Sequence, residues 1–70
     1  MRVYTVRRRV DAYVDYVAKV VAGDPAEAAQ LAEDHEDELV WEEEGPCEFD
    51  DRTFVTLDAN GGEIESSIRR

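Results

Sequence analysis

From Ala12 onward the even positions Ala12, Val14, Tyr16, Ala18, Val20 and Ala22 are apolar, while Tyr13, Asp15, Val17, Lys19 and Val21 are mixed. That period of two is the mark of a strand with one buried face. A helix competes, because Val10, Tyr13, Val14, Val17, Val20 and Val21 also recur at spacings of three and four. The strand reading is preferred: β-branched and aromatic residues dominate, and good helix formers are scarce. Residues 3–8 form the preceding strand, with a hairpin bend near Arg9–Ala12.

The next signal is Gly23-Asp24-Pro25-Ala26-Glu27. Asp24 suits an N-cap, Pro25 the first helical position, and Glu27 the third residue of a capping box. The helix that follows, about 25–36, lines up Ala28, Leu31, Ala32 and His35. Its small alanines permit close approach to a sheet. Glu38–Glu42 reads as a third strand, ended by Gly45-Pro46. Thr53–Asp58 is a fourth strand, Asn60-Gly61-Gly62 a turn, and Glu63–Ile68 a possible fifth strand or a frayed tail. The expected fold is one α+β domain over residues 1–70. It has the order β-β-α-β-β, a mostly antiparallel sheet, one helix on one face, and a wet opposite face.

The run Tyr13…Val20-Val21-Ala22-Gly23-Asp24-Pro25-Ala26-Glu27-Ala28-Ala29 resembles a strand-to-helix step in small plasmid- and phage-encoded proteins of the DpnD/PcfM-like group. The likeness covers about residues 3–58, and Ala26 stands where a second glutamate is common in that group. It transfers no catalytic residue. It implies a mobile-element setting.

Charge changes the picture more than size does. The chain has 70 residues and a formal net charge of −10. Residues 1–22 sum to +3, residues 23–51 to −13 with no Lys or Arg, and residues 52–70 to zero. Such a negative pole repels phosphate and anionic lipid, so a basic partner surface is expected rather than direct nucleic-acid or membrane binding. A core this small rarely gives more than ~3–5 kcal/mol of net stability. With Cys47 the only cysteine, no internal disulfide can add to it. A lone cysteine also fits a reducing compartment, and with no signal-like apolar segment near Met1 a cytoplasmic location is expected.

Candidate chemistry centres on eleven carboxylates between Glu33 and Asp51. Carboxylates three or four apart on a helix lie about 5–6 Å from one another. Alternate strand residues lie about 6.6 Å apart. Both spacings suit Lys and Arg groups built for a phosphate backbone. Glu36, Asp37, Glu38, Glu42, Glu43, Glu44, Glu48, Asp50 and Asp51 are the expected partner-binding residues, with Tyr13 and Trp41 as interface aromatics. The expectation is a non-enzymatic, nucleic-acid-mimicking inhibitor of a basic host complex, of anti-CRISPR or anti-restriction type. The alternative is an accessory protein acting by homodimerisation, its acids serving only solubility.

Other chemistry has less behind it. Cys47 and His35 form the one available nucleophile–base pair, and no third group is indicated. Asp58–Glu63 carries oxygen ligands but departs from a calcium-loop spacing. No cofactor or metal is expected. Strand alternation sends Arg8 to one face and Arg7 and Arg9 to the other, so these arginines are expected to pair with the chain's own acids or to line a subunit contact.

Overall fold

A computed structural model describes residues 1–11, 14–46 and 53–69. The elements run β1 (Arg2–Asp11), β2 (Val14–Ala22), α1 (Pro25–Asp34), β3 (Glu42–Pro46) and β4 (Thr53–Leu57). Short 3-10 turns lie at Glu36–Glu38 and Glu65–Ser67. The four strands make an antiparallel sheet in the order β3-β2-β1-β4, with α1 packed on one face. The bend near Arg9–Ala12 falls partly outside the described residues, β1 itself running to Asp11.

Alternation decides the faces. In register, Tyr4 opposes Val20, Val6 opposes both Ala18 and Thr56, and Arg8 opposes Tyr16 and Phe54. These side chains point toward α1. Val6, Val20, Ala22, Ala28, Ala32 and Phe54 form the buried cluster, ringed by Tyr4, Leu31, Leu39 and Trp41. The helix buries Ala28, Ala29 and Ala32, so on its side of the interface it contributes only methyl groups at those points. His35, expected on the same stripe, is exposed just past the helix end.

The helix start behaves as its sequence dictates. The Asp24 carboxylate accepts the Glu27 N–H at 2.8 Å, and the Glu27 carboxylate accepts the Gly23 N–H at 3.0 Å. This is a reciprocal cap, reaching one residue further back than the usual box. Thr56 Oγ1 then donates to the Pro25 carbonyl at 2.6 Å, fastening the first turn to β4.

Two expectations are corrected. The third strand lies at Glu42–Pro46, four residues later than its apolar pattern suggested, and Glu36–Glu38 is a 3-10 turn. Tertiary contacts override the local pattern: the Trp41 indole N–H donates to the Glu36 carbonyl at 2.9 Å, and its ring meets Phe54 edge-on at 6.2 Å. With Trp41 drawn to the helix side, pairing with β2 begins only at Glu42, opposite Val17. Gly45-Pro46 therefore sits inside the strand rather than after it. A bulge between Asp15 and Tyr16 leaves Glu44 unmatched, and Gly45 has φ of 153°, which side-chain-bearing residues rarely adopt.

The second correction concerns the fifth strand. Among the described residues this stretch forms only two isolated bridges, Leu57 with Glu63 and Phe54 with Arg69. Between them the Ser67 hydroxyl accepts the Thr56 N–H at 2.9 Å and donates to the Ile64 carbonyl at 2.6 Å. A side chain thus replaces a backbone ladder partner, and the chain turns instead of extending. The Asn60–Gly62 turn is present: the Asp58 carboxylate accepts the N–H groups of Asn60 and Gly62, and Gly61 has φ of 83°.

No helix of the described residues is long and apolar enough to cross a membrane.

Phe54 and Ser67 give the fold its most direct test. Phe54→Ala removes the largest fully buried side chain and should cost about 3–5 kcal/mol, enough to unfold most of the population of so small a domain. Ser67→Ala orphans the Thr56 N–H and should cost about 1–3 kcal/mol. Urea denaturation measures both, and a Ser67→Ala midpoint equal to wild type would rule out the docked tail.

Candidate acidic binding surface

Positive charge is scarce, so the first question is where the arginines go. Three of them are consecutive on β1, and the pleat divides them.

Arg8 lies on the helix side. Its guanidinium carbon sits 4.3 Å from the Trp41 ring centroid and 5.2 Å from that of Tyr16, and Nη1 donates to Glu36 at 2.8 Å. Cation, two rings and carboxylate form one half-buried stack, which holds the Glu36–Glu38 turn against the sheet.

Arg7 and Arg9 lie on the opposite face with Asp15, whose side chain is only 9% exposed. Arg9 grips Asp15 with two donors, Nε at 2.9 Å and Nη2 at 3.2 Å. Arg7 Nε donates to Glu44 at 2.6 Å, and Arg7 Nη1 and Arg9 Nη2 converge on the same Glu63 oxygen at 2.9 and 3.0 Å. Two cations and three anions therefore bind β1, β2, β3 and the turn after β4 into one network. The far face is not wholly wet as expected: Val55, opposite Arg7 in register, is 1% exposed, and arginine stems cover apolar surface well.

The hydrogen bond that Arg7 donates to Glu44 raises the Arg7 pKa above its ordinary value, against an opposing effect of burial. A raised base contributes stability that is complete below its unfolded pKa and lost only as pH climbs through the folded one. Arg7 is therefore charged at every pH of interest.

The pairings sort the expected site residues. Glu36 and Glu44 are taken by Arg8 and Arg7 and are removed from the candidate surface. Glu33, in the same carboxylate run, is held by Arg69 at 3.2 Å. Asp37, Glu38, Glu42 and Glu43 are exposed and make no ion pair with Lys or Arg among the described residues; Glu38 meets His35 at 3.1 Å. Asp34, exposed at the helix end, joins them. Glu48, Asp50 and Asp51 lie outside the described residues, as do Tyr13 and Cys47. Trp41 is placed, half-buried, at the edge of the core with its ring and N–H engaged within the chain. Among the described residues no three His, Cys, Asp or Glu side chains converge as a metal site.

Two participants were missed in sequence. Asp15 was read as one polar position on a mixed strand face, and Glu63 as part of a tail. Only Asp15 had a signal, as a lone acid on a strand face; the β1–β2 register is what brings it to Arg7 and Arg9. A hollow of about 430 Å³ beside β2 was not legible at all; Val17, Lys19, Leu39 and Val40 line it, with Glu38 and Glu42 at its border.

Arg8→Lys keeps the charge but loses the planar stack and should cost about 1 kcal/mol. The Trp41 emission spectrum should shift as its ring gains exposure. An unchanged spectrum would mean that the stack does not order Trp41.

Comparison with protein-family models, with curated proteins and with solved structures found no match, so the reading of function rests on this surface alone.

Proposed function

We propose that this chain is a non-enzymatic binding protein that presents its unpaired carboxylates to a cationic partner. The observation that carries the reading is the selectivity of the internal pairing. Arginines neutralise Asp15, Glu33, Glu36, Glu44 and Glu63 at separate points of the sheet and helix. The acids that remain, Asp34, Asp37, Glu38, Glu42 and Glu43, fall within one ten-residue stretch from the end of α1 to the start of β3. Leaving like charges together on an 8.0 kDa scaffold costs self-repulsion. A cationic partner relieves that cost at the moment of binding and gains faster encounter from the field.

The partner class that fits is a protein whose Lys and Arg side chains ordinarily hold a nucleic-acid backbone. The exposed carboxylates of the 3-10 turn and of β3 would stand in for the phosphates that such a partner's Lys and Arg side chains hold. In that role the chain competes with nucleic acid and inhibits its partner, as anti-restriction and anti-CRISPR proteins do. The competing surface is smaller than the whole acidic run, because Glu36 and Glu44 are withdrawn from it.

That difference makes the test specific. The variant D37N/E38Q/E42Q/E43Q should keep its fold, slow association with the partner tenfold or more, and flatten the salt dependence of the rate. The variant E36Q/E44Q should melt at lower temperature yet associate at close to the wild-type rate. Affinity capture from the native host supplies the partner, and stopped-flow association measures the rates. Equal association rates for the quadruple variant and wild type would refute the proposal.

A further inference from the structure

Sheet edges are hazards, and this sheet covers most of its own. The outer edge of β4 is closed by the bridges to Glu63 and Arg69. The outer edge of β3 carries Glu42, Glu43, Glu44, a bulge and Pro46, all of which discourage pairing. One stretch is left. The ladder between β2 and β3 ends at Val17, so over Ala18–Ala22 the backbone groups facing away from β1 meet no strand among the described residues.

This bare edge has a shaped surround. On the far side of the sheet lies the 430 Å³ hollow bordered by Glu38, Val40 and Glu42. On the helix side a second hollow, about 350 Å³, runs past Val21, Leu31, His35 and Leu39. Glu38 and Leu39 border both, so the hollows flank the same edge. Val21 is 56% exposed, its cross-strand neighbour Val3 64%, and Val40 83%. Lys19 is exposed and borders both hollows, its Nζ held by donation to Thr5 Oγ1 at 2.6 Å.

We infer that the Ala18–Ala22 edge of β2 receives a short extended segment of the partner, rich in alternating basic and apolar residues, as an added strand. The inference rests on the acidic-partner reading above and specifies how that partner is held. The segment's backbone pairs with the bare edge, its apolar side chains rest in the helix-side hollow beside Leu31 and Leu39, and its basic side chains, on the opposite face, reach Glu38 and Glu42. Charge selects this occupant over a second copy of the chain, since two copies each of net charge −10 would meet with these same acids together. The β2–β3 ladder ends at Val17 on one side and the strand itself ends at Ala22 on the other. About five residues, near 17 Å of extended chain, therefore fit.

The probe is a blocked hexapeptide of alternating valine and arginine, titrated into the isotopically labelled protein and followed by amide NMR shifts. Shifts should concentrate at Ala18–Ala22 and Glu38–Glu42. Methylating alternate backbone nitrogens of the peptide on the pairing side should weaken binding at least tenfold, and E38Q/E42Q should weaken it about tenfold. If the methylated peptide binds as well as its parent and shifts only Asp37–Glu43, the added strand is wrong while the acidic surface stands. If E38Q/E42Q binds the parent peptide undiminished at the edge, the basic occupant is wrong, and the functional reading falls with it. Shifts at Ala18–Ala22 that follow protein concentration without peptide would assign the edge to a second copy and overturn the inference. So would the absence of binding by either peptide at low salt.

Discussion

A strand shows its side chains to alternate sides, and three consecutive arginines on β1 must therefore serve two different faces. Most of the remaining structure follows from that geometric rule. On the helix side Arg8 stacks with Trp41 and Tyr16 and fixes the turn that ends the helix through Glu36. On the other side Arg7 and Arg9 draw in Asp15, Glu44 and Glu63, one from each of three separate parts of the chain. The apolar cluster between helix and sheet is small and alanine-rich, so ordering by these pairs matters more than it would in a larger domain. Exposed ion pairs contribute little, typically under about 1 kcal/mol. Shared and partly buried ones fix geometry, because an arginine fork accepts few orientations.

The same pairs define what the surface offers. A chain with 18 acids and 8 bases cannot neutralise itself, and the distribution of the bases decides which acids are left. Those between Asp34 and Glu43 are left because the nearest arginines are spent on Glu33, Glu36 and Glu44, which flank or interrupt them. A partly neutralised acidic pole is a narrower surface than a uniform one. Beside it lies a stretch of strand edge that can add backbone specificity to charge attraction.

Much of the fold was legible because local signals and long-range packing agreed. The period-2 pattern of β2, the Asp24–Glu27 cap and the Asn60–Gly62 turn all have the form that their residues predict. Disagreement arose where a side chain found a distant partner. Trp41 looked like a strand residue, yet its anchoring to Arg8, Phe54 and Glu36 moves β3 to less strand-like glutamates. Ser67 interrupts a plausible fifth strand by satisfying Thr56 itself. The acidic run was plain in the sequence, but its division into paired and unpaired members was not. That division depends on register: the bulge at Glu44 and the opposition of Arg7 to Val17 and Val55 cannot be read from spacing alone.

The central claim is that β1 spends its arginines inside the molecule. Proton exchange of the arginine Nε–H groups, read by NMR near neutral pH, tests it directly. The Nε–H of Arg7, bonded to Glu44, and that of Arg9, bonded to Asp15, should exchange at least tenfold more slowly than the Nε–H of the exposed Arg2. Exchange of all three at one rate would contradict the account, since those arginines would then be solvated and every carboxylate equally open to a partner.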